Sequence, residues 1–278
     1  MPDAQHLKDA LRERFGEEVA VPADVPGLDR LAAVAARGTC RLYADRPVEA
    51  DLVRLLCACA LAAPSKSDLQ QRDIVIVRDP ALRRRIADLL PHMPWVGAAP
   101  AFVVVCLNAN RLPRLAAMRG KPFPNDHLDL FFNAAGDAAI ALGALVQAAE
   151  TVGLGTCPIS EIRNHAAIVC SLLGLPERVV PFAGLCLGWP AAPAPISPRL
   201  PLVLTLHEDR HGGEPLAERI EAYDRRREAL RPYAAQRSPE RWGRAEPYGW
   251  SEDKARQYAD PHRADFGALV RAKGFRLD

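Results

Sequence analysis

The stretch "LDLFFNAAGDAAIALGALVQAAETVG", starting at Leu128, constrains this chain more than any other. It reads as a helix from about Leu128 to Thr151, apolar over most of its circumference, so neighbours must cover nearly every side. Asp129, Asn133, Asp137, Gln147 and Glu150 punctuate it, which argues for a buried helix rather than a membrane span. The cover must come from the same domain or from a partner subunit. A chain of 278 residues with 49% hydrophobic content can bury a sizeable core.

Around that helix the pattern alternates between helices and strands. Leu7, Leu11 and Phe15 recur at helical spacing before Gly16, and "LDRLAAVAARG" gives a second helix ended by Gly38. "TCRLYAD" is strand-like, so Thr39 and Arg41 are expected to share a face. Val48 to Ala62 is helical, with Pro47 at a first-turn position. "DIVIV" reads as a strand, Asp79-Pro80 as the start of a helix, and "AFVVVCL" as a buried strand. A helix spans roughly Arg163 to Leu173, "AGLCLG" and "LPLVLTLHE" are strands, and a last helix runs from about Arg263 to Lys273. From Pro215 the composition turns charged and aromatic, too poor in aliphatic residues for a core of its own. Three parts are expected: an N-terminal extension (1–26), a core (27–214) and a C-terminal arm (215–278).

The charge balance is 36 basic against 34 acidic residues, which gives no electrostatic case for nucleic acid or a membrane surface as partner. Seven cysteines without a CxxC read as small buried hydrophobes in a reducing compartment, and the charged N-terminus is unlike a signal peptide. The expected location is the cytoplasm. The seven histidines show no metal-ligand spacing, so no metal is expected. GxGxxG after a strand, GxxxxGK[ST], HExxH and GxSxG are all missing, which disfavours Rossmann dehydrogenases, P-loop ATPases and the common hydrolases.

Polar clusters remain. One is "ARGTCRLY", with Arg37, Gly38, Thr39 and Arg41. A second is the loop Pro64, Ser65, Lys66, Ser67, Asp68, Leu69, Gln70. A third is "GLGTCPISEIRN", with Pro158, Ile159, Ser160 and Glu161, followed downstream by "GLCLGWPAAPAPISPRLPL" with Arg199. Taken singly, the loop can be a solvated connection, Arg37 and Arg41 surface ion-pair formers, and Arg199 a carbonyl-capping residue.

Taken in order, they resemble the FMN-dependent nitroreductase family, closest to its oxygen-insensitive NADPH nitroreductase and flavin reductase branch. The resemblance runs roughly from Ala32 to Phe275. It rests on Arg37-Gly38-Thr39-Cys40-Arg41, the Ser-rich loop ending at Gln70, the Gly153–Gly155 turn, Ile162-Arg163-Asn164, "LLGLPERVVPFAGLCLGWP" and "SPRLP". It implies an α+β fold, a mostly antiparallel sheet flanked by helices, in a homodimer whose C-terminal arms embrace the partner. The implied activity is reduction of nitroaromatics, quinones or free flavins, small aromatic acceptors, with FMN as cofactor and NADPH or NADH as hydride donor. The donor and then the acceptor use one open pocket in turn.

The resemblance also implies roles. Arg37 and Arg199 take the FMN phosphate, matching the chemistry of paired charge-assisted bonds. Gly38, Thr39, Pro64, Ser65, Lys66, Ser67 and Gln70 line the cofactor, and Arg41 stands by the ring's N1 and C2 carbonyl, where reduction places negative charge. Pro158 and Ile159 lead to Ser160 and Glu161, one of which offers a backbone N–H near N5. Arg226 and Arg263 are the implied contacts to the nicotinamide 2′-phosphate, against a plain reading of "DRRRE" as a solvated helix face. Two departures stand out: Ser160-Glu161 replaces a usual Gly pair, and Ser197 replaces a usual Lys. The alternatives are a specialised FMN enzyme of the same superfamily (reductive dehalogenase-like, enone reductase-like or flavin-fragmenting) and a non-catalytic flavin-binding protein.

Overall fold

Strand Ala101–Asn108 is buried on both faces, and that one fact organises the molecule. In the computed structural model, which describes residues 2–22, 24–213 and 215–278, it is the second strand (β2) of a four-stranded antiparallel sheet. The others are β1 (Arg72–Ile76), β3 (Gly155–Ile159) and β4 (Val179–Gly188), in the order β1-β2-β4-β3. Successive β2 side chains point to opposite faces. Val103, Val105 and Leu107 join one apolar cluster with helices Ala50–Leu61 and Leu128–Thr151. Phe102, Val104 and Cys106 join a second cluster with helices Pro80–Asp88 and Ala166–Leu172. The sheet is therefore a middle layer, which explains why its strands read as continuous apolar runs rather than alternating ones.

The long helix is where the sequence puts it, Leu128–Thr151. It is long and apolar enough to cross a membrane. It buries Leu130, Ala134, Asp137, Ala138, Ala141, Leu145, Val146 and Ala149, while Phe132 and Ile140 stay exposed. The N-cap Asp79 with Pro80 behind it starts the helix Pro80–Asp88 as expected, the carboxylate accepting from the Ala81 and Leu82 amides.

The chain divides into two compact units, residues 1–38 with 195–262, and residues 39–194 with 263–278. These do not follow the three segments expected from composition, and the boundary at 214/215 touches Glu214, outside the described residues. The reason is packing. Helices Pro2–Phe15 and Leu28–Ala36 share a small core built on Leu7, Ala10, Leu28 and Ala35, which Ile196 also joins. Val270 of the C-terminal helix Phe266–Ala272, and Phe275 beyond its end, instead join the sheet core.

Three local expectations fail. "TCRLYAD" makes only an isolated bridge, Tyr43 to Pro190, before Ala44 and Arg46 turn the chain away. "LPLVLTLHE" forms a short 3₁₀ turn at Leu202–Leu204, since no strand edge offers it a ladder among the described residues. The helix expected from Val48 begins at Ala50, with Glu49 at the N-cap position but making no side-chain capping bond, so Pro47 lies ahead of its first turn.

Candidate functional site

In the first unit, Arg37 and Arg199 line one cleft of about 430 Å³ with Arg14, Phe15, Val34, Leu200 and Thr205. Those lining residues include three arginines and no carboxylate, a donor set suited to a phosphate. Arg37 follows helix Leu28–Ala36, where the backbone leaves helical geometry at φ −53°, ψ 141°. Arg14 was not singled out by sequence. Its side chain is buried, with Nε donating to the Ala35 carbonyl at 2.8 Å and Nη1 to the Ser197 carbonyl at 3.0 Å. Ser197, the departure from a usual Lys, receives a second cation, since Arg231 Nη1 lies 3.4 Å from its Oγ. Arg226 packs over Gly16 and donates to the Glu13 carbonyl, so it seats the N-terminal helix.

In the second unit, the residues after β3 form another cluster. Arg41, exposed, has its guanidinium carbon 5.3 Å from the centroid of the Trp95 ring. Glu161 Oε1 is 2.5 Å from His92 Nε2, and Arg263 Nη1 donates to the Ser160 carbonyl at 3.3 Å. The segment His92–Trp95 thus touches both Arg41 and Glu161. No motif marks it in the sequence; the signal that could have found it is Pro91 and Pro94 bracketing His92-Met93 ahead of Trp95. Thr39 and Arg41 lie outside any strand, so the shared-face expectation falls. Gly155 is required at the start of β3: a Cβ there would sit 2.5 Å from Cys40 Cβ. Burial pushes the Cys40 thiol up, which suits an inert core thiol, and the Tyr43 phenol up as well while its hydroxyl donates to the Cys40 carbonyl.

The loop after Pro64 is pinned from below by Asp137 of the long helix. Its buried carboxylate accepts from Ser65 Oγ at 2.8 Å, the Lys66 amide at 2.9 Å and the Gln71 amide at 2.8 Å. Ser65 Oγ in turn accepts from the Gln70 amide at 2.7 Å, and Gln70 Nε2 donates to Asp68 at 3.1 Å. Ser67, Asp68 and Gln70 carry φ of 48°, 56° and 53°, left-handed positions on either side of Leu69 that these bonds hold in place. Lys66, Ser67 and Gln70 face solvent. Asp137 entered the sequence reading only as a polar break in an apolar helix.

Among the described residues no group of histidine, cysteine and acidic side chains is arranged to hold a metal.

Comparison with known proteins gives a consistent result. The model of the nitroreductase family matches residues 34–189, and that of the nitroreductase family C-terminal domain matches 197–278. A Bacillus subtilis protein named FMN reductase [NAD(P)H] is 30% identical over 86% of this chain and 94% of its own length. A Salmonella typhimurium protein named oxygen-insensitive NADPH nitroreductase is 35% identical over 66% of this chain and 75% of its own. The solved structure of a Vibrio harveyi NADPH:FMN oxidoreductase complexed with NAD+ superposes with a TM-score of 0.76 at 28% identity, covering 88% of this chain and 98% of that one.

Proposed function

Because the chain belongs to the nitroreductase family, we propose that it is an FMN-dependent NAD(P)H oxidoreductase that reduces nitroaromatics, quinones or free flavins. The carrying observation is the cleft lined by Arg14, Arg37 and Arg199, to which two segments distant in sequence contribute. FMN, when bound, supplies a ring that takes hydride from the nicotinamide and hands it to the acceptor. The chain's own residues do the rest. Arg37 and Arg199 hold the phosphate. Arg41 offers a fixed cation to the ring end. The Ser160 or Glu161 amide offers a donor at the hydride-accepting edge, with Pro158 and Ile159 setting its approach. Gly38, Thr39 and the exposed side of the loop at Pro64, Lys66, Ser67 and Gln70 flank the cofactor, while Ser65 shapes that loop from beneath. Arg263 remains the better candidate for the nicotinamide 2′-phosphate, since Arg226 is committed to the N-terminal helix.

A homodimer fits the exposed apolar face of helix Leu128–Thr151, where Phe132 is 72% and Ile140 45% exposed, and a cytoplasmic location is proposed from the seven free cysteines. Residues 215–278 are proposed to serve as the arm that completes it. Phe132→Glu should shift the protein to a monomer in sedimentation velocity; an unchanged dimer would place the interface elsewhere.

The Glu161–His92 pair favours a second reading, a specialised FMN enzyme of the same superfamily with a narrower acceptor range. One experiment covers both. Protein reconstituted with excess FMN should retain it without a covalent link. It should bleach anaerobically on adding NADPH or NADH, and regain colour with an acceptor. Retention with no bleaching by either nicotinamide would mean a flavin-binding protein without turnover. Failure to retain FMN would sink both readings.

A further inference from the structure

The N-terminal helix Pro2–Phe15 lies ahead of residue 34, where the family match begins. Its Arg14 nevertheless lines the cleft. The guanidinium has five donors in a rigid fork, and here it spans two segments. Nε reaches Ala35 O and Nη2 reaches Arg37 O, on the stretch that carries Arg37. Nη1 reaches Ser197 O, and the Arg199 amide donates to the Arg14 carbonyl at 2.7 Å, on the stretch that carries Arg199. One residue therefore cross-links the backbones of both phosphate-binding candidates.

The helix that presents Arg14 is itself fixed. Glu17 Oε1 accepts from the Leu202 amide at 2.6 Å. Arg226 lies so close over Gly16, which has φ +77°, that a Cβ there would stand 2.5 Å from Arg226 Nε. A lysine at 14 could not reproduce the clamp, since an ammonium is a compact point charge without the planar fork.

We propose that Arg14 is a positioning residue for the cofactor phosphate. It holds Arg37 and Arg199 on one cleft, and through it the N-terminal helix sets the preference of this protein for a phosphorylated flavin. The proposal rests on the FMN reading above. Holding the two arginines in their bound arrangement beforehand spares the ordering cost at binding.

Riboflavin has the same ring as FMN and no phosphate, so the pair isolates the effect. Full-length protein stripped of flavin would be titrated with each, following flavin fluorescence. The parent should bind FMN at least tenfold more tightly than riboflavin. Arg14→Met should cut that preference at least fivefold and leave riboflavin affinity within twofold. Arg14→Lys should fall between. If Arg14→Met weakens both flavins equally, Arg14 only supports the fold and the proposal is overturned. If the parent itself shows no preference, the phosphate reading of the cleft fails, and the proposal with it. If Arg37→Ala abolishes the preference and Arg14→Met keeps it, the reading stands and the Arg14 proposal alone falls. Should Arg14→Met not fold, Arg14→Lys decides: a reduced preference supports the clamp, and the parent value overturns it.

Discussion

The arginine cleft and the Ser65–Gln70 loop are both short polar runs beside buried structure, yet they spend their polar atoms in opposite directions. In the loop, Ser65, the Lys66 and Gln71 amides and the Gln70 amide all bond inward, to Asp137 or to one another. In the cleft, Arg14 bonds inward to backbone carbonyls, and Arg37 and Arg199 line the opening while each donates to a carbonyl next in sequence, Gly38 and Pro198. A polar run can thus be scaffolding or a binding surface, and the difference lies in which partner waits beneath it. The loop has a buried carboxylate below it; beneath the cleft, one guanidinium donates to the carbonyls of Ala35, Arg37 and Ser197.

The largest expected effect breaks the scaffold. Asp137→Ala leaves the loop amides without an acceptor and buried Arg72, whose Nη1 stands 3.8 Å from the carboxylate, without a counter-charge. Removing one member of a buried pair costs about 3–5 kcal/mol. Urea denaturation checks this, and a loss under about 1 kcal/mol would show that the loop holds itself. Next is Arg199→Ala. A charge-assisted bond contributes about 1.5–3 kcal/mol, so FMN affinity should fall roughly 10- to 150-fold with little change in stability. Equilibrium titration reads it, and an unchanged affinity would move the phosphate away from this cleft. Ser65→Ala sharpens the contrast. It should lower stability by about 1 kcal/mol and alter FMN affinity less than about threefold. A loss of FMN binding as large as that of Arg199→Ala would make Ser65 a ligand after all.

The smallest effect lies in the C-terminal segment. Burial pushes the Asp253 carboxyl up. Bonds from Lys254 and Tyr248, with the charges of Lys254 and Arg237, outweigh it and hold the group below its usual range. A depressed folded value means stability that is present above the unfolded value of about 3.9 and lost as pH falls through the folded one. The gap in melting temperature between parent and Asp253→Asn should therefore narrow from pH 7 to pH 3. A constant gap would show that the carboxylate charge contributes nothing.

The long helix, the buried strands and the Asp79-Pro80 helix start were legible because each rests on local pattern: apolar periodicity or a cap next in sequence. The family order of motifs carried the cofactor assignment. What stayed hidden depended on contacts across the chain. Arg14 looked like one charge on an amphipathic helix, and its three carbonyl partners lie 21 to 183 residues away. Asp137 looked like a polar break, and its partners lie 66 to 72 residues back. "TCRLYAD" and "LPLVLTLHE" had strand composition, but strands need a neighbour, and composition does not supply one.

The proposed function divides the work between two regions: the cleft would set how tightly FMN binds, and Arg41 how readily its ring accepts electrons. Redox titration of FMN in Arg41→Ala, Arg37→Ala and the parent tests it directly. With Arg41→Ala, FMN should stay bound while its two-electron potential falls by roughly 30 mV or more, the equivalent of about 1.4 kcal/mol of lost stabilisation of the reduced ring. With Arg37→Ala, binding should weaken while the flavin that remains keeps nearly the parent potential. Equal potentials in Arg41→Ala and the parent would contradict the claim and leave Arg41 as a residue that merely packs on Trp95.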